Sequence, residues 1–396
     1  MSVRAGGGRY EAAVTSAGPR VVLVHNPYGE TGGAAEFQKG LRSVLQQVAP
    51  QATIREIRAP SSGRRISDYV RQGLLASRFR HLLRDCDLLV VQGYLNLGSW
   101  VLTREARRLR VPYILVPHGD HVPAWDWRGG YGSAIRKRVA VALYGRGVMQ
   151  RASAVVVGSK LEGERIAGVA PRVRSRLRVI PNAIDSQVEA DGDTDTGSTR
   201  EAPFALWLGR VGPEKHLDFL VACWPEVQGR VPRAELVLAG SYENRRLARR
   251  LRAQVRALGL DGAVRCIGYV GGLEKQHLLR AARCVVLPSL FESFGRVVVE
   301  ALAVGTPVLV STGTPWHDLP ERAGRCIPVE RACWVSALIT FLGTPQKVRV
   351  PREDVARLLM SCSHAAVLAS WQRMVGEVMA SGWPAYQPYR GARTGA

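Results

Sequence analysis

The sequence contains no run of the roughly 18 to 20 apolar residues that a bilayer-spanning helix requires, and its opening stretch, MSVRAGGGRYEAAVTSAG, lacks the apolar core of a secretory signal. The expectation is a cytoplasmic protein whose only membrane role is peripheral, on the inner face. Cysteine is scarce: Cys86, Cys223, Cys266, Cys284, Cys326, Cys333 and Cys362 are odd in number and scattered through apolar runs. That excludes a disulfide framework and a CxxC metal knuckle, and reads as buried thiols. Acidic residues are also few, 33 against 55 Lys and Arg, leaving a formal charge of +22. Such a surplus asks for an anionic partner, whether nucleic acid, membrane or phosphorylated substrate. Zinc-finger spacing, an RNP-type aromatic strand and a basic region with heptads are all missing, so nucleic acid is not the expected partner.

What is present is a large apolar fraction, 46% of 396 residues, enough for two cores. The apolar runs PRVVLVHN, ATIREI, DLLVVQG, VPYILVPHG, ASAVVVGS and LRVIPNAID alternate with helical patterns in the first half. FALWLGR, AELVLAGS, AVRCIGYV, CVVLPSL, TPVLVST and GRCIPV repeat the scheme in the second. Continuous Val/Leu/Ile runs separated by helices predict parallel sheets covered on both faces. The class is α/β, with doubly wound, Rossmann-like domains over 1–185 and 204–383, an acidic aperiodic linker over 186–203, and a basic tail over 384–396. Open sheets of this kind bind ligands beyond the carboxyl ends of their strands, so two facing domains place a cleft between those loops.

One segment combines these signals, PSLFESFGRVVVEALAVGTPVLVS at 288–311. It reads as strand exit, loop, helix and next strand, with Gly305 and Pro307 closing the helix and two glutamates, Glu292 and Glu300, eight positions apart across its start. Two solvated helix carboxylates would not explain why the apolar strand, the ESFG turn and the proline exit fall in register. After the FALWLGR strand, GRVGPEKHLDFL sets Arg210 and Lys215 five apart around a glycine-shaped turn. Paired carboxylates elsewhere, DCD at 85–87 and DGDTD at 191–195, stand at a strand entrance in the first domain and in the linker, so no metal site is expected.

These motifs, with Gly32 and Gly33 after the first strand, resemble the retaining glycosyltransferases of family 4, of GT-B architecture, from Val21 to about Trp383. PHGDHVPAW, VIPNAID and TPWHDL are similar to a bacterial branch working on surface polysaccharides or other glycoconjugates. The resemblance implies two Rossmann-like domains facing a central cleft, the first for the acceptor and the second for a nucleotide diphosphate sugar. It implies that Glu300 accepts hydrogen bonds from ribose hydroxyls while Glu292 faces the donor sugar. Ser293, Phe294, Gly295 and Arg296 would form a helix N-terminus suited to a diphosphate. Arg210 and Lys215 would stabilise the leaving group in place of a metal. His118 would be a polar group near sugar or acceptor, with Asp120 and His121 in its loop, and Gly32 and Gly33 would approach phosphate or acceptor closely. Tyr269 and Val270 either touch the base through their backbone or simply pack. Trp125, Trp127, Trp316 and His317 either shape the sugar region or cap the core.

The implied reaction is transfer of a sugar to a hydroxyl of a carbohydrate or lipid-linked acceptor, with no cofactor and no metal. The alternatives are another GT-B enzyme, an epimerase or phosphorylase, and a basic nucleic-acid-binding protein. The arginines of residues 61–85, among them Arg64, Arg65, Arg71 and Arg78, and the acid-free stretch 128–151 suggest an anionic membrane surface as a further partner. A solvated basic face is the other reading of the same residues.

Overall fold

The computed structural model describes residues 19–25, 33–48, 50, 52–58, 80–95, 97–117, 138–184, 202–242, 245–344 and 348–381. Two six-stranded parallel sheets carry the chain. The first comprises β1 (Arg20–His25), β2 (Thr53–Arg58), β3 (Leu88–Gln92), β4 (Tyr113–Val116), β5 (Ala154–Val157) and β6 (Leu177–Val179), in the order β2-β1-β3-β4-β5-β6. The second comprises β7 (Phe204–Leu208), β8 (Glu235–Ala239), β9 (Val264–Gly268), β10 (Cys284–Leu287), β11 (Val308–Ser311) and β12 (Gly324–Ile327), in the order β12-β11-β10-β7-β8-β9. Each apolar run expected to be a strand is one.

The reason is burial. Strands β3, β4, β5, β10 and β11 are buried at every position, which only helices on both faces can achieve, so the runs show no alternation. Those helices are α1 (Gly33–Val48), α2 (Leu97–Arg108), α3 (Arg146–Arg151) and α4 (Lys160–Val169) in the first half. The second half has α5 (Leu217–Arg230), α6 (Arg245–Ala257), α7 (Gly272–Ala281), α8 (Arg296–Ala303), α9 (Arg331–Gly343), α10 (Arg352–Ser361) and α11 (His364–Ser381). Trp207, Trp224 and Trp334, all fully buried, anchor the second core. All seven cysteines are free thiols, and burial pushes Cys86 and Cys284 up to about 12.

One helix departs from the domain division read from the sequence. Helix α11 follows the second domain in the chain, yet Val367, Trp371, Met374, Val375 and Val378 pack with Leu41, Val44 and Leu45 of α1 and with Val21 and Leu23 of β1. The chain therefore returns to the first sheet at its end. An apolar helical stripe specifies that a helix is buried, not which sheet buries it. The inter-domain linker lies almost entirely outside the described residues, as does the tail.

In each sheet the strand order reverses beside the first strand of that half, between β1 and β3 and between β7 and β10. At such a point the loops leaving two neighbouring strands diverge and open a crevice. The loop after β7 is GRVGPEKH and the loop after β10 is PSLFESFG, so topology brings both second-domain motifs to one crevice.

Candidate active site

Beyond β7 the chain makes a turn of 3-10 helix, Pro213–Lys215, and enters α5 through His216, a non-glycine residue at φ 52°. This turn is fixed by packing beneath it. The Glu214 carboxylate folds back into the space a side chain at Gly212 would occupy, a Cβ there lying 2.3 Å from its oxygen. The backbone carbonyl of Glu214 accepts from Leu290 N at 2.8 Å, tying the β7 loop to the β10 loop. Lys215 is thereby aimed across the crevice, and its Nζ donates to Glu292 Oε1 at 2.6 Å, with both side chains largely buried.

Ser289 Oγ donates to the same Glu292 oxygen at 2.9 Å, and Glu292 N donates to Gly313 O at 3.3 Å. Gly313 cannot bear a side chain, since a Cβ would stand 2.4 Å from Ser289 O and 2.5 Å from Leu290 O. The β10 and β11 loops are thus in backbone contact, and Glu292 is held from three sides. A charge-assisted contact this short between partly desolvated groups presents one cation and one anion at fixed positions.

Glu300 lies one helix turn deeper. It is 5% exposed on α8, where Lys275 Nζ of α7 donates to its Oε1 at 3.0 Å and Arg296, one turn earlier on α8, at 3.2 Å. A buried carboxylate with two cations needs such partners, because an unpaired charge there would be costly. Gly295 caps α8 in the left-handed region, φ 79°, and a Cβ on it would meet Leu287 and Trp316 at 3.2 Å. The backbone of Ser293, Phe294 and Gly295 leads directly into the helix start, where the first N–H groups have no intrahelical acceptor.

Most expected residues are therefore gathered in the second-domain crevice: Lys215, Glu292, Ser293, Phe294, Gly295, Arg296 and Glu300. Arg210 stands at its rim, half-exposed, donating to Glu214 Oε1 at 2.9 Å. Tyr269, just past β9, is 53% exposed and Val270 is buried beside it. Trp316 is buried, and its Nε1 donates to Phe294 O at 2.6 Å, so it supports the ESFG loop from below. His317 is exposed and its Nδ1 lies 3.8 Å from Cys326 Sγ. Gly33 begins α1 beyond the carboxyl end of β1. Gly32, His118, Asp120, His121, Trp125 and Trp127 lie outside the described residues.

The first domain reaches the crevice from the other side. Ser159, the N-cap of α4, accepts from Glu162 N at 3.2 Å and donates its Oγ to Ser293 O at 2.7 Å. Arg165 of α4 stacks over the ring of Phe291, 4.6 Å from its centroid. Sequence reasoning missed Glu214, Lys275, Ser289 and Ser159. The signal for Glu214 and Ser289 was their place inside motifs already singled out, and the Ser-x-x-Glu spacing of 159–162 announces a helix start. Nothing local marks Lys275, whose partner is 25 residues away.

Comparison with known proteins bears on both halves. Residues 12–183 match the family model described as "Glycosyl transferase 4-like domain" and residues 202–344 the model described as "Glycosyl transferases group 1". Among curated relatives, the phosphatidyl-myo-inositol mannosyltransferase of Mycolicibacterium smegmatis is 33% identical over 40% of this chain and 41% of its own length. The D-inositol 3-phosphate glycosyltransferase of the same organism is 27% identical over 61% of this chain and 55% of its own. The chain spans about half the length of the curated relatives it matches. Among solved structures, a sucrose-phosphate synthase from Thermosynechococcus elongatus superposes with a TM-score of 0.75 at 19% identity, covering 92% of this chain and all of the other. Anabaena HepE in complex with UDP-glucose superposes at 0.69 with 18% identity, over 92% of this chain and all of that one. The fold is GT-B.

Proposed function

We propose that this chain, each half of which matches a glycosyl transferase domain, moves a sugar from a nucleotide diphosphate sugar to a hydroxyl of a carbohydrate or glycolipid acceptor with retention of configuration. The observation that carries this reading is the Lys215–Glu292 contact, 2.6 Å long, at the point where the second sheet reverses its strand order. A fixed cation and a fixed anion beside a helix N-terminus suit a substrate with a diphosphate at one end and a sugar at the other. HepE, which shares the fold, holds UDP-glucose, a donor of that class.

In this reading the diphosphate lies against the start of α8, where backbone N–H groups and Lys215 face it, and Arg210 swings in from the rim. As the bond from the anomeric carbon to the phosphate oxygen breaks, negative charge grows on that oxygen, and the cations stabilise it more than they stabilise the ground state. The acceptor hydroxyl attacks from the same face, and its proton passes to the departing phosphate oxygen. Glu292, held by Lys215 and Ser289, orients the sugar; Glu300 serves the nucleotide ribose. His118, which lies outside the described residues, is assigned to the sugar or acceptor. The reaction runs without a metal or other cofactor, in polysaccharide or glycoconjugate synthesis, with the first domain turned towards the cytoplasmic face of an anionic membrane.

The test is a screen of nucleotide sugars by thermal stabilisation, followed by turnover of the best binder with and without chelator. A ligand that binds only the folded state raises its stability by mass action. Stabilisation by at least one nucleotide diphosphate sugar, and activity that survives excess chelator, are expected. No stabilisation by any of them would refute the donor class, and full dependence on a divalent ion would refute the metal-free mechanism.

A further inference from the structure

The first domain carries a groove of about 180 Å³ between α2 and the helix spanning 138–151. Two helical stripes form its walls. On α2, Trp100, Arg104 and Arg107 follow at intervals of four and three, and the Arg104 guanidinium lies 5.5 Å from the Trp100 ring centroid. On the other helix, Leu143, Gly147 and Arg151 follow at intervals of four. Residues so spaced share one helix face. Tyr144 closes the groove beside Trp100, their ring centroids 6.3 Å apart.

Three observations make this groove unlike an ordinary surface furrow. Its lining contains three guanidinium groups and no carboxylate. The stretch 138–151 also has no acidic residue, while Arg138 and Arg146 stand exposed on it. Second, apolar side chains are exposed where polar ones are usual: Leu143 of the lining is 78% exposed, and Val139, four residues earlier on the same helix, is 48% exposed. Third, the helix is interrupted there by a π-helical turn, Val141–Gly145, which an extra residue per turn creates at a cost in hydrogen-bond geometry. Gly145 fits against Tyr94 and Leu95, with 3.0 Å from its Cβ position to the Tyr94 ring. The π turn therefore sits beside the carboxyl end of β3, on the cleft side of the sheet, and presents Leu143 outward. At the other end Tyr113 donates to Val148 O at 2.6 Å; burial raises its phenol, and the charges of Arg107, Arg151 and Arg176 oppose that rise.

We propose that this groove is the membrane contact of the first domain, receiving the phosphate headgroup of an anionic lipid among Arg104, Arg107 and Arg151 while Leu143 and Val139 enter the acyl boundary. A free phosphate would use the guanidinium groups but has nothing to offer an exposed leucine. A phospholipid satisfies both, and tryptophan and tyrosine at the boundary are the side chains that suit a half-polar layer. The inference rests on the reading of the first domain as the membrane-facing one and names the surface that does it. It places the bilayer along the flank of the first domain near the cleft, within reach of a lipid-linked acceptor.

The experiment is sedimentation of the full chain with vesicles of phosphatidylcholine alone and of phosphatidylcholine mixed with phosphatidylglycerol. The wild type should bind the mixed vesicles, and the triple variant Arg104→Gln/Arg107→Gln/Arg151→Gln should partition roughly 100-fold less, from three lost surface charges. Leu143→Ser, a change at an exposed position, should partition roughly tenfold less at unchanged charge. Nucleotide-sugar stabilisation should be the same in all three proteins. If the wild type ignores anionic vesicles at low salt, the membrane-facing reading and this inference both fall. If it binds and the groove variants bind as well as it does, the inference alone falls; if Arg249→Gln/Arg250→Gln on α6 of the second domain is what abolishes binding, the membrane-facing reading of the first domain falls with it. Inorganic phosphate is the second arm. Stabilisation of the wild type but not the triple variant by phosphate, with Leu143→Ser binding vesicles normally, would make the groove a small-anion site and overturn the lipid assignment.

Discussion

Lys215 and Glu292 hold each other at 2.6 Å, so removing either leaves the other partly buried without its partner. Lys215→Ala is expected to lower turnover by about 100- to 1,000-fold, the range for loss of a donor that stabilises a developing charge. Glu292→Gln keeps the shape and the Ser289 contact, and should lower turnover while leaving affinity for the bare nucleotide diphosphate within about threefold; comparable loss of affinity would contradict its assignment to the sugar. Glu300 requires a different choice of substitution. Because Lys275 and Arg296 both donate to its buried Oε1, Glu300→Ala strands two cations, and roughly 3 to 5 kcal/mol of stability should go with it. Glu300→Gln retains one acceptor oxygen at unchanged size, so a selective fall in nucleotide affinity with a nearly native melting curve is the outcome that supports ribose binding. Arg210 raises the same issue more mildly. Its partner Glu214 is buried, with Oε2 unbonded among the described residues. Arg210→Ala should therefore lose both turnover and some stability, and adding Glu214→Gln should restore the stability alone. Full recovery of turnover in the double variant would remove Arg210 from the chemistry.

At the scale of elements, the short helix α8 shows how the site is held. Its eight residues, RVVVEALA, are nearly all buried, it starts at Gly295 in the left-handed region, and it ends at Gly305, φ 73°. There Thr306 N bonds to Ala301 O and Gly305 N to Leu302 O, the pairing by which a left-handed residue terminates a helix. Gly295→Ala should cost about 1 to 2 kcal/mol from backbone conformation alone, with further loss from contacts at 3.2 Å. It should also weaken nucleotide binding by tilting the helix start; unchanged affinity would show that the N-terminus of α8 does not face the phosphates. This element was legible in the sequence because glycine, apolar run and proline exit are local signals. The strands were legible for the same reason, since a doubly covered strand must be apolar throughout. What could not be read is what joins distant segments: the Lys275–Glu300 pair, the Ser159–Ser293 bond, and the π turn at 141–145, whose residues VALYG carry no marker of an inserted residue. Motif residues were found because their spacing is short, and their partners were missed because those partners are set by tertiary approach.

The two halves of the molecule are joined at two places. On one side Ser159 donates to Ser293 O and Gly158 packs under Phe294, its Cβ position 3.1 Å from that residue's Cβ. On the other, Ile184 N bonds to Cys362 O at 2.9 Å, and α11 then runs across to the first sheet. The second connection makes the chain's last described helix part of the first domain's core, so the two halves should not unfold as separate sequence blocks. Trp371 decides this. It is 3% exposed and sits among residues of α1, β1 and β5, so Trp371→Ala should destabilise by roughly 3 to 5 kcal/mol, as for a large aromatic lost from a core. If α11 served only the second domain, the loss would appear in the transition that nucleotide stabilises. In the observed arrangement the loss falls on the first sheet, whose amides in β1 and β3 should exchange faster with solvent, while those of β7 and β10 remain protected in the presence of nucleotide diphosphate. Hydrogen exchange on the two sheets separates these outcomes, and faster exchange confined to β7 and β10 would contradict the shared core. The chain leaves the second domain at Cys362, and α11 (His364–Ser381) cannot shift on the first sheet without displacing Trp371 from that core.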